Sequence, residues 1–277
     1  MNNVSRNNAL ALIAGRGDLP HKIIDTQKDV RPLVVVAFEG QTPTDLPERL
    51  SVDIPVLWVK LGVIGPVLDF FKQWHVTDVT MAGGLTRPKL RDLSMDWVGA
   101  RWLKVLGLNA VKGDNHLLGG IVALLEAEGY QVIPPHELVG NLFASAGVLT
   151  ARAPTDADQR DIEHGVSLLN VLSPFDVGQG VVVHDGCVLG IETIEGTAAL
   201  LGHVKALGRA RGGVFVKMRK VGQSQQVDMP TIGVDTITQV RDAGLSGVAI
   251  EADGVQVLDL VDVIRLADEA GLFVAAL

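Results

Sequence analysis

Ala9-Leu10-Ala11-Leu12-Ile13-Ala14-Gly15-Arg16-Gly17-Asp18-Leu19-Pro20, followed by the helix-like residues 21–28, is the stretch from which the fold is read. Six apolar residues without alternation describe a strand buried on both faces, and such strands belong to parallel sheets covered by helices. Strand, glycine loop and helix form the arrangement in which backbone N–H groups and a helix amino terminus can receive a phosphate. The spacing is not Gly-x-Gly-x-x-Gly, because Pro20 holds the third position, and no P-loop lysine follows. An ordinary tight turn is the alternative use of the same residues.

Outward from this stretch the pattern repeats. Residues 33–38 read as a second buried strand and 54–59 as a short third strand, and the Pro-rich piece 41–47 between them reads as a surface loop. Val67, Leu68, Phe71 and Trp74 recur at helical spacing within 64–74. Residues 76–82 give another strand, which runs into Gly83-Gly84-Leu85-Thr86-Arg87-Pro88. Two glycine loops after two apolar strands are what a crevice at the carboxyl ends of a parallel sheet requires. Residues 90–109 read as a helix whose Trp97 and Trp102 serve packing, and Asp114 or Asn115 is placed to cap a helix over 117–129. A last strand at 131–133 closes a first domain, 1–133, and Pro134-Pro135 opens a linker, 134–153.

The second domain, 154–277, opens with a helix over 156–170 that carries Asp156, Asp158, Asp161 and Glu163. Four acids in eight residues suit a solvated helix amino terminus better than a metal site. Residues 180–183 and 187–191 read as a hairpin joined by His184-Asp185-Gly186, with His184 exposed in the turn. A helix over 198–207, a strand over 213–217, a helix over 234–243, strands at 247–251 and 255–258, a helix over 261–270 and a strand at 272–277 complete the chain. The fold class is therefore α/β in two domains: an N-terminal Rossmann-like parallel-sheet domain and a C-terminal α/β domain, with a cleft between them.

Composition narrows the function. The 277 residues are 47% hydrophobic, mostly aliphatic, with a net charge of -8, which gives no electrostatic footprint for nucleic acid. Cys187 is the single cysteine, so neither a disulfide framework nor a cysteine zinc cluster can be built, and a reducing cytoplasm fits. No run approaches the roughly 18 apolar residues of a membrane span, and the polar residues 1–8 do not form a signal peptide.

The chemistry is expected in Met218-Arg219-Lys220-Val221-Gly222-Gln223-Ser224-Gln225-Gln226-Val227-Asp228-Met229-Pro230-Thr231-Ile232-Gly233. This polar loop between a strand and a helix holds Asp228 between two apolar residues, which suits a carboxylate in a cleft. The stretch resembles the Lys-Pro-x-Gln-x-x-Arg-Val-Asp-Leu-Pro-Thr-Ile-Gly loop of the LpxI-type UDP-2,3-diacylglucosamine hydrolases of lipid A biosynthesis. Five further islands fall in the family's order. They are Leu12 to Pro20, Ala82 to Pro88, Lys112-Gly113-Asp114-Asn115-His116-Leu117-Leu118, Asp176-Val177-Gly178-Gln179-Gly180 and Glu195-Gly196-Thr197.

The resemblance implies a metal-dependent diphosphatase that splits UDP-2,3-diacylglucosamine into UMP and 2,3-diacylglucosamine 1-phosphate with Mg²⁺. In that reading Asp228 is catalytic and binds the metal or orients water. Gly15, Gly17, Gly83, Gly84, Thr86 and Arg87 contact phosphate, sugar or nucleotide, and Asp114, Gln179, Glu195, Thr197, Lys217, Gln223 and Thr231 form a second tier. The implied setting is cytoplasmic, with transient peripheral contact at the inner-membrane surface and a homodimer as the assembly. Three positions depart from the pattern: Val221 replaces Pro, Gln226 replaces Arg and Ala198 replaces Asp. Loss of an arginine removes a permanent charge and a planar fork suited to phosphate. Lys217, Arg219 or Lys220 could compensate; a homologue that binds the nucleotide sugar or lipid with weak or no turnover is the alternative.

Overall fold

The computed structural model describes residues 8–44, 46, 54–85, 94–107, 114–140, 142–208, 212–221 and 229–277, with only the backbone described at 114–116. They fall into two compact units that meet in the chain between Gly140 and Leu142.

The first unit carries β1 (Ala9–Ala14), α1 (Leu19–Gln27), β2 (Leu33–Phe38), β3 (Val56–Val59), α2 (Gly65–Gln73), β4 (Val76–Ala82), α3 (Trp97–Leu106), α4 (Asp114–Ala127), β5 (Gln131–Val132) and α5 (Pro135–Val139). Its sheet has the order β3-β2-β1-β4-β5 with every neighbouring pair parallel, the Rossmann-like arrangement expected. The absence of alternation in β1 has a direct cause in the layers. Ala9 and Ala11 face a cluster with Val67, Phe71, Trp102 and Leu125, while Leu10, Leu12 and Ala14 face another with Ile23, Ile24 and Leu138. Both faces of the sheet are thus covered by helices.

The second unit carries β6 (Gly147–Val148), α6 (Asp156–Leu172), a single 3-10 turn at Ser173–Phe175, β7 (Gly180–His184), β8 (Cys187–Ile191), α7 (Thr197–Leu207), β9 (Val214–Lys217), β10 (Thr231–Ile232), α8 (Val234–Asp242), β11 (Gly247–Ile250), β12 (Gln256–Val257), α9 (Leu260–Glu269) and β13 (Phe273–Ala276). Its six-stranded sheet runs β6-β13-β11-β9-β7-β8. The central β13, β11 and β9 are parallel, and β6 and the β7–β8 hairpin join antiparallel at the two edges. Along β9, Val214 and Val216 pack towards Ile162 and Leu169 of α6, while Phe215 packs towards Leu200, Ile237 and Val263 of α7, α8 and α9. A small parallel pair, β10 with β12, accompanies this sheet.

Several expectations change. The stretch 134–153 holds α5, which packs against α1, and β6, which pairs with β13. Within the 41–47 piece, expected to be a surface loop, Thr42 and Leu46 are buried. Trp102 is buried as expected, but Trp97 is 77% exposed because α3 begins at Trp97 and turns that residue outwards. Asp114 and Asn115, expected to cap this helix, fall within α4 (Asp114–Ala127). Asp158 and Asp161 are buried, where a solvated helix start was expected. Asp158 closes a capping box with Thr155, and Asp161 accepts from the hairpin turn.

Candidate functional site

In the first unit the two glycine loops leave β1 and β4, which are adjacent strands at the point where the strand order reverses. The loops are hydrogen-bonded to each other: Arg16 N donates to Gly84 O at 2.9 Å and Gly84 N donates to Arg16 O at 3.1 Å. Glycine is demanded on both sides of this crossing. A methyl group on Gly15 would stand 2.6 Å from the Gly83 carbonyl oxygen, and Gly83 itself has φ +89°, a conformation that other L residues resist. Gly17 and Gly84 are exposed at this edge. The loop after β2 joins them, because the Thr42 hydroxyl donates to Ala14 O at 2.6 Å and accepts from Phe38 N at 2.9 Å. Arg16 Nη2 donates to Gln41 Oε1 at 2.7 Å. Asp18 precedes α1 without a side-chain capping bond. Two glycine loops and the start of α1 therefore gather at the carboxyl edge of the sheet, where a helix start favours a phosphate.

In the second unit a polar cluster lies at the end of β9. Lys217 is 4% exposed, and its Nζ donates to Thr197 Oγ1 at 2.6 Å and to Glu192 Oε2 at 3.4 Å. The Thr197 hydroxyl in turn donates to Glu192 Oε1 at 3.1 Å. Glu192 follows β8 and Thr197 opens α7, so three separate elements contribute one side chain each. The neighbouring cations are matched as well: Lys220 meets Asp176, and Arg219 Nη2 lies 3.8 Å from Glu251 Oε1 while its backbone N–H donates to Glu251 Oε2 at 2.8 Å. All three of the cations expected to serve phosphate in this loop thus stand opposite a carboxylate.

The structure brings together Gln179, Thr197 and Lys217 from the expected set, since the Gln179 carbonyl accepts from Met218 N at 2.9 Å beside Lys217. Glu195 is exposed two residues before Thr197. Thr231 is half-buried, and its hydroxyl reaches Met229 O at 3.2 Å and Gln256 Oε1 at 3.3 Å. Thr86, Arg87, Gln223, Gln226 and Asp228 lie outside the described residues, as does the side chain of Asp114. Glu192 was not anticipated. Its only signal in the sequence is an acid at the polar end of an apolar strand, Gly190-Ile191-Glu192, which many surface acids share.

Among the described residues no group of three or more His, Cys, Asp or Glu side chains is arranged to hold a metal ion. Glu192, the buried acid of the cluster, is committed to Lys217 and Thr197. An all-protein cage for Mg²⁺ is not built from these residues. Magnesium associated with phosphates needs less, since one or two carboxylates together with substrate oxygens suffice.

Comparison with known proteins covers the chain from end to end. The LpxI N-terminal domain matches residues 9–142 and the LpxI C-terminal domain matches residues 145–275. The UDP-2,3-diacylglucosamine pyrophosphatase LpxI of Caulobacter vibrioides is 34% identical over 273 residues, which are 96% of this chain and 96% of that protein. Two domain matches in the same order, meeting where the two units meet, and an end-to-end relative leave one assignment: the chain belongs to the LpxI family.

Proposed function

We propose that this protein hydrolyses the pyrophosphate bond of UDP-2,3-diacylglucosamine, releasing UMP and 2,3-diacylglucosamine 1-phosphate in lipid A biosynthesis. The observation that carries the reading is the 34% identity across 96% of both chains with an enzyme of that name. In the reaction a water oxygen bonds to one phosphorus as the bridging P–O bond breaks, and the departing phosphate takes the negative charge. Such chemistry depends on charge stabilisation at phosphate oxygens and on a positioned water.

This chain supplies candidates for both needs. The crossed loops that carry Gly15, Gly17, Gly83 and Gly84 are suited to close approach of a phosphate or nucleotide, while Gly15 N and Gly84 N hold the crossing itself by donating to Ala82 O and Arg16 O; Thr86 and Arg87 follow directly in the sequence. The Lys217 ammonium has three donors; Thr197 and Glu192 take two of them, and a phosphate oxygen can take the third. Asp228 orients the water or holds Mg²⁺ together with the substrate's own oxygens. When bound, Mg²⁺ supplies neutralisation of the pyrophosphate charge. Contact with the inner membrane is transient and peripheral in this reading; no helix among the described residues is long and apolar enough to cross a bilayer.

The test is UMP release from UDP-2,3-diacylglucosamine by purified protein, with Mg²⁺ and with chelator, beside Asp228→Ala. The expected outcome is metal-dependent release that the variant loses while remaining folded and able to bind substrate. Release that is equal in wild type and Asp228→Ala would remove Asp228 from the mechanism. Binding without any release by the wild type would favour a binding protein, with Gln226 and Ala198 as the departures to revert first.

A further inference from the structure

The Glu192 side chain is the part of the second unit's polar cluster for which the neighbouring backbone is cleared. Glu192 N donates to Gly180 O at 2.7 Å, which fixes its backbone beside β7. The strand start opposite it is cut to fit. A Cβ on Gly178 would stand 1.9 Å from the Glu192 carbonyl oxygen, and a Cβ on Gly180 would stand 2.5 Å from Glu192 Oε2. The two glycines of Val177-Gly178-Gln179-Gly180 thus make room for one glutamate, both its backbone and its side chain. From that place the carboxylate binds the Thr197 hydroxyl with one oxygen and the Lys217 ammonium with the other, and the hydroxyl bridges back to the ammonium.

Burying a lysine head group is costly unless it is paired and hydrogen-bonded. A general packing role would be served as well by an apolar side chain of similar size, without glycines cleared for an acid. A buried cation held by a rigid carboxylate and a bridging hydroxyl is instead the arrangement used to aim charge at a developing anion.

We propose that Glu192 is a positioning residue that acts through Lys217, holding the ammonium where it meets the pyrophosphate. The proposal rests on the hydrolase reading above. Glu192 does not touch the substrate in this account; its effect is on the geometry of Lys217, with Thr197 as the link between them.

The experiment compares wild type, Glu192→Gln, Lys217→Met and the double variant in steady-state turnover of UDP-2,3-diacylglucosamine, with melting temperature measured alongside. Glu192→Gln is expected to lower kcat/KM by about 10- to 100-fold, chiefly through kcat. It should have little further effect in the Lys217→Met background, because residues that act as a unit do not add. Thr197→Val, which leaves the packing around Gly178 and Gly180 alone, should reproduce the loss, and Thr197→Ser should recover most of it. If Glu192→Gln folds poorly, the Thr197 pair carries the same comparison.

A second readout does not need turnover. The side-chain ammonium resonance of Lys217 in ¹⁵N-lysine protein, identified by its absence from Lys217→Met, should shift when UDP-2,3-diacylglucosamine is added with chelator present. It should broaden into water exchange in Glu192→Gln. A wild type that binds without releasing UMP would end the hydrolase reading, yet a shifted resonance would still support the Glu192–Lys217 device as a binding element. An unmoved resonance, wild-type kinetics in Glu192→Gln, or independent multiplicative losses in the double variant would each overturn the proposal.

Discussion

Asp96 joins two helices with one carboxylate. Its Oδ1 accepts from Gly99 N at 2.7 Å, the amino-terminal cap of α3, and from Ile64 N at 3.2 Å, while Oδ2 accepts from Gly65 N at 2.6 Å at the start of α2. Burial raises its pKa, but the backbone N–H bonds from Gly99, Ile64 and Gly65 outweigh that cost and hold the carboxyl below its ordinary value of 3.8. A depressed folded-state pKa means that the stabilisation is present above the ordinary value and is lost as pH falls through the folded value. Asp96→Ala should therefore cost about 1–2 kcal/mol near neutral pH, measured by thermal or urea unfolding. The gap between variant and wild type should narrow as pH falls below 3.8; a gap constant from pH 7 to 3 would disprove the assignment. Neither Asp96 nor Glu192 was legible as a key residue in the sequence. Both act on partners from a different element, and a contact between Asp96 and Gly65, or between Glu192 and Lys217, leaves no mark in local spacing. Thr197 and Lys217 were found because the motifs around them resemble a family, and periodicity alone would have passed over them.

At the scale of elements, reading from the sequence succeeded where a period had room to show itself. β1, β2 and β4 are runs of six, six and seven residues, and the expected strands fall on them. β6 and β10 have two residues each, too few for any alternation, and neither was expected, whereas β5 and β12, equally short, fall within the strands expected at 131–133 and 255–258. The acids of α6 teach the same lesson from the opposite side. Their composition suggested a solvated end, yet Asp161 Oδ2 accepts from Asp185 N at 2.9 Å and Oδ1 from Gly186 N at 2.7 Å, so a helix holds the turn of the β7–β8 hairpin. Asp185 has φ +49°, a conformation that needs such support. Asp161→Ala should destabilise the protein by about 1–2 kcal/mol, less than a sealed core site would lose because water can reach the exposed turn. Amide exchange should accelerate at Asp185 and Gly186 more than in β9, and equal acceleration throughout would indicate a global effect in place of a local clasp.

For the whole molecule, the deciding fact is that each unit owns its core. Among the described residues four clusters hold most of the buried apolar side chains, two drawn only from residues 9–139 and two only from residues 144–276. A unit with its own core unfolds on its own free energy to the extent that few interactions cross to its neighbour, and local stability then differs between the two halves of one chain. Asp96 offers a lever on the first unit alone, since all the bonds of its carboxylate described here stay within that unit. In Asp96→Ala, native-state hydrogen exchange should show protection falling in β1, β2 and β4 by the full 1–2 kcal/mol, or about 5- to 30-fold in exchange rate. Protection in β7, β9 and β11 should stay within twofold of wild type. The two-unit division and both domain matches argue for that outcome. If β9 and β11 lose protection in step with β1, the chain unfolds as one cooperative body, and a substitution in the first unit would reach Lys217 through stability.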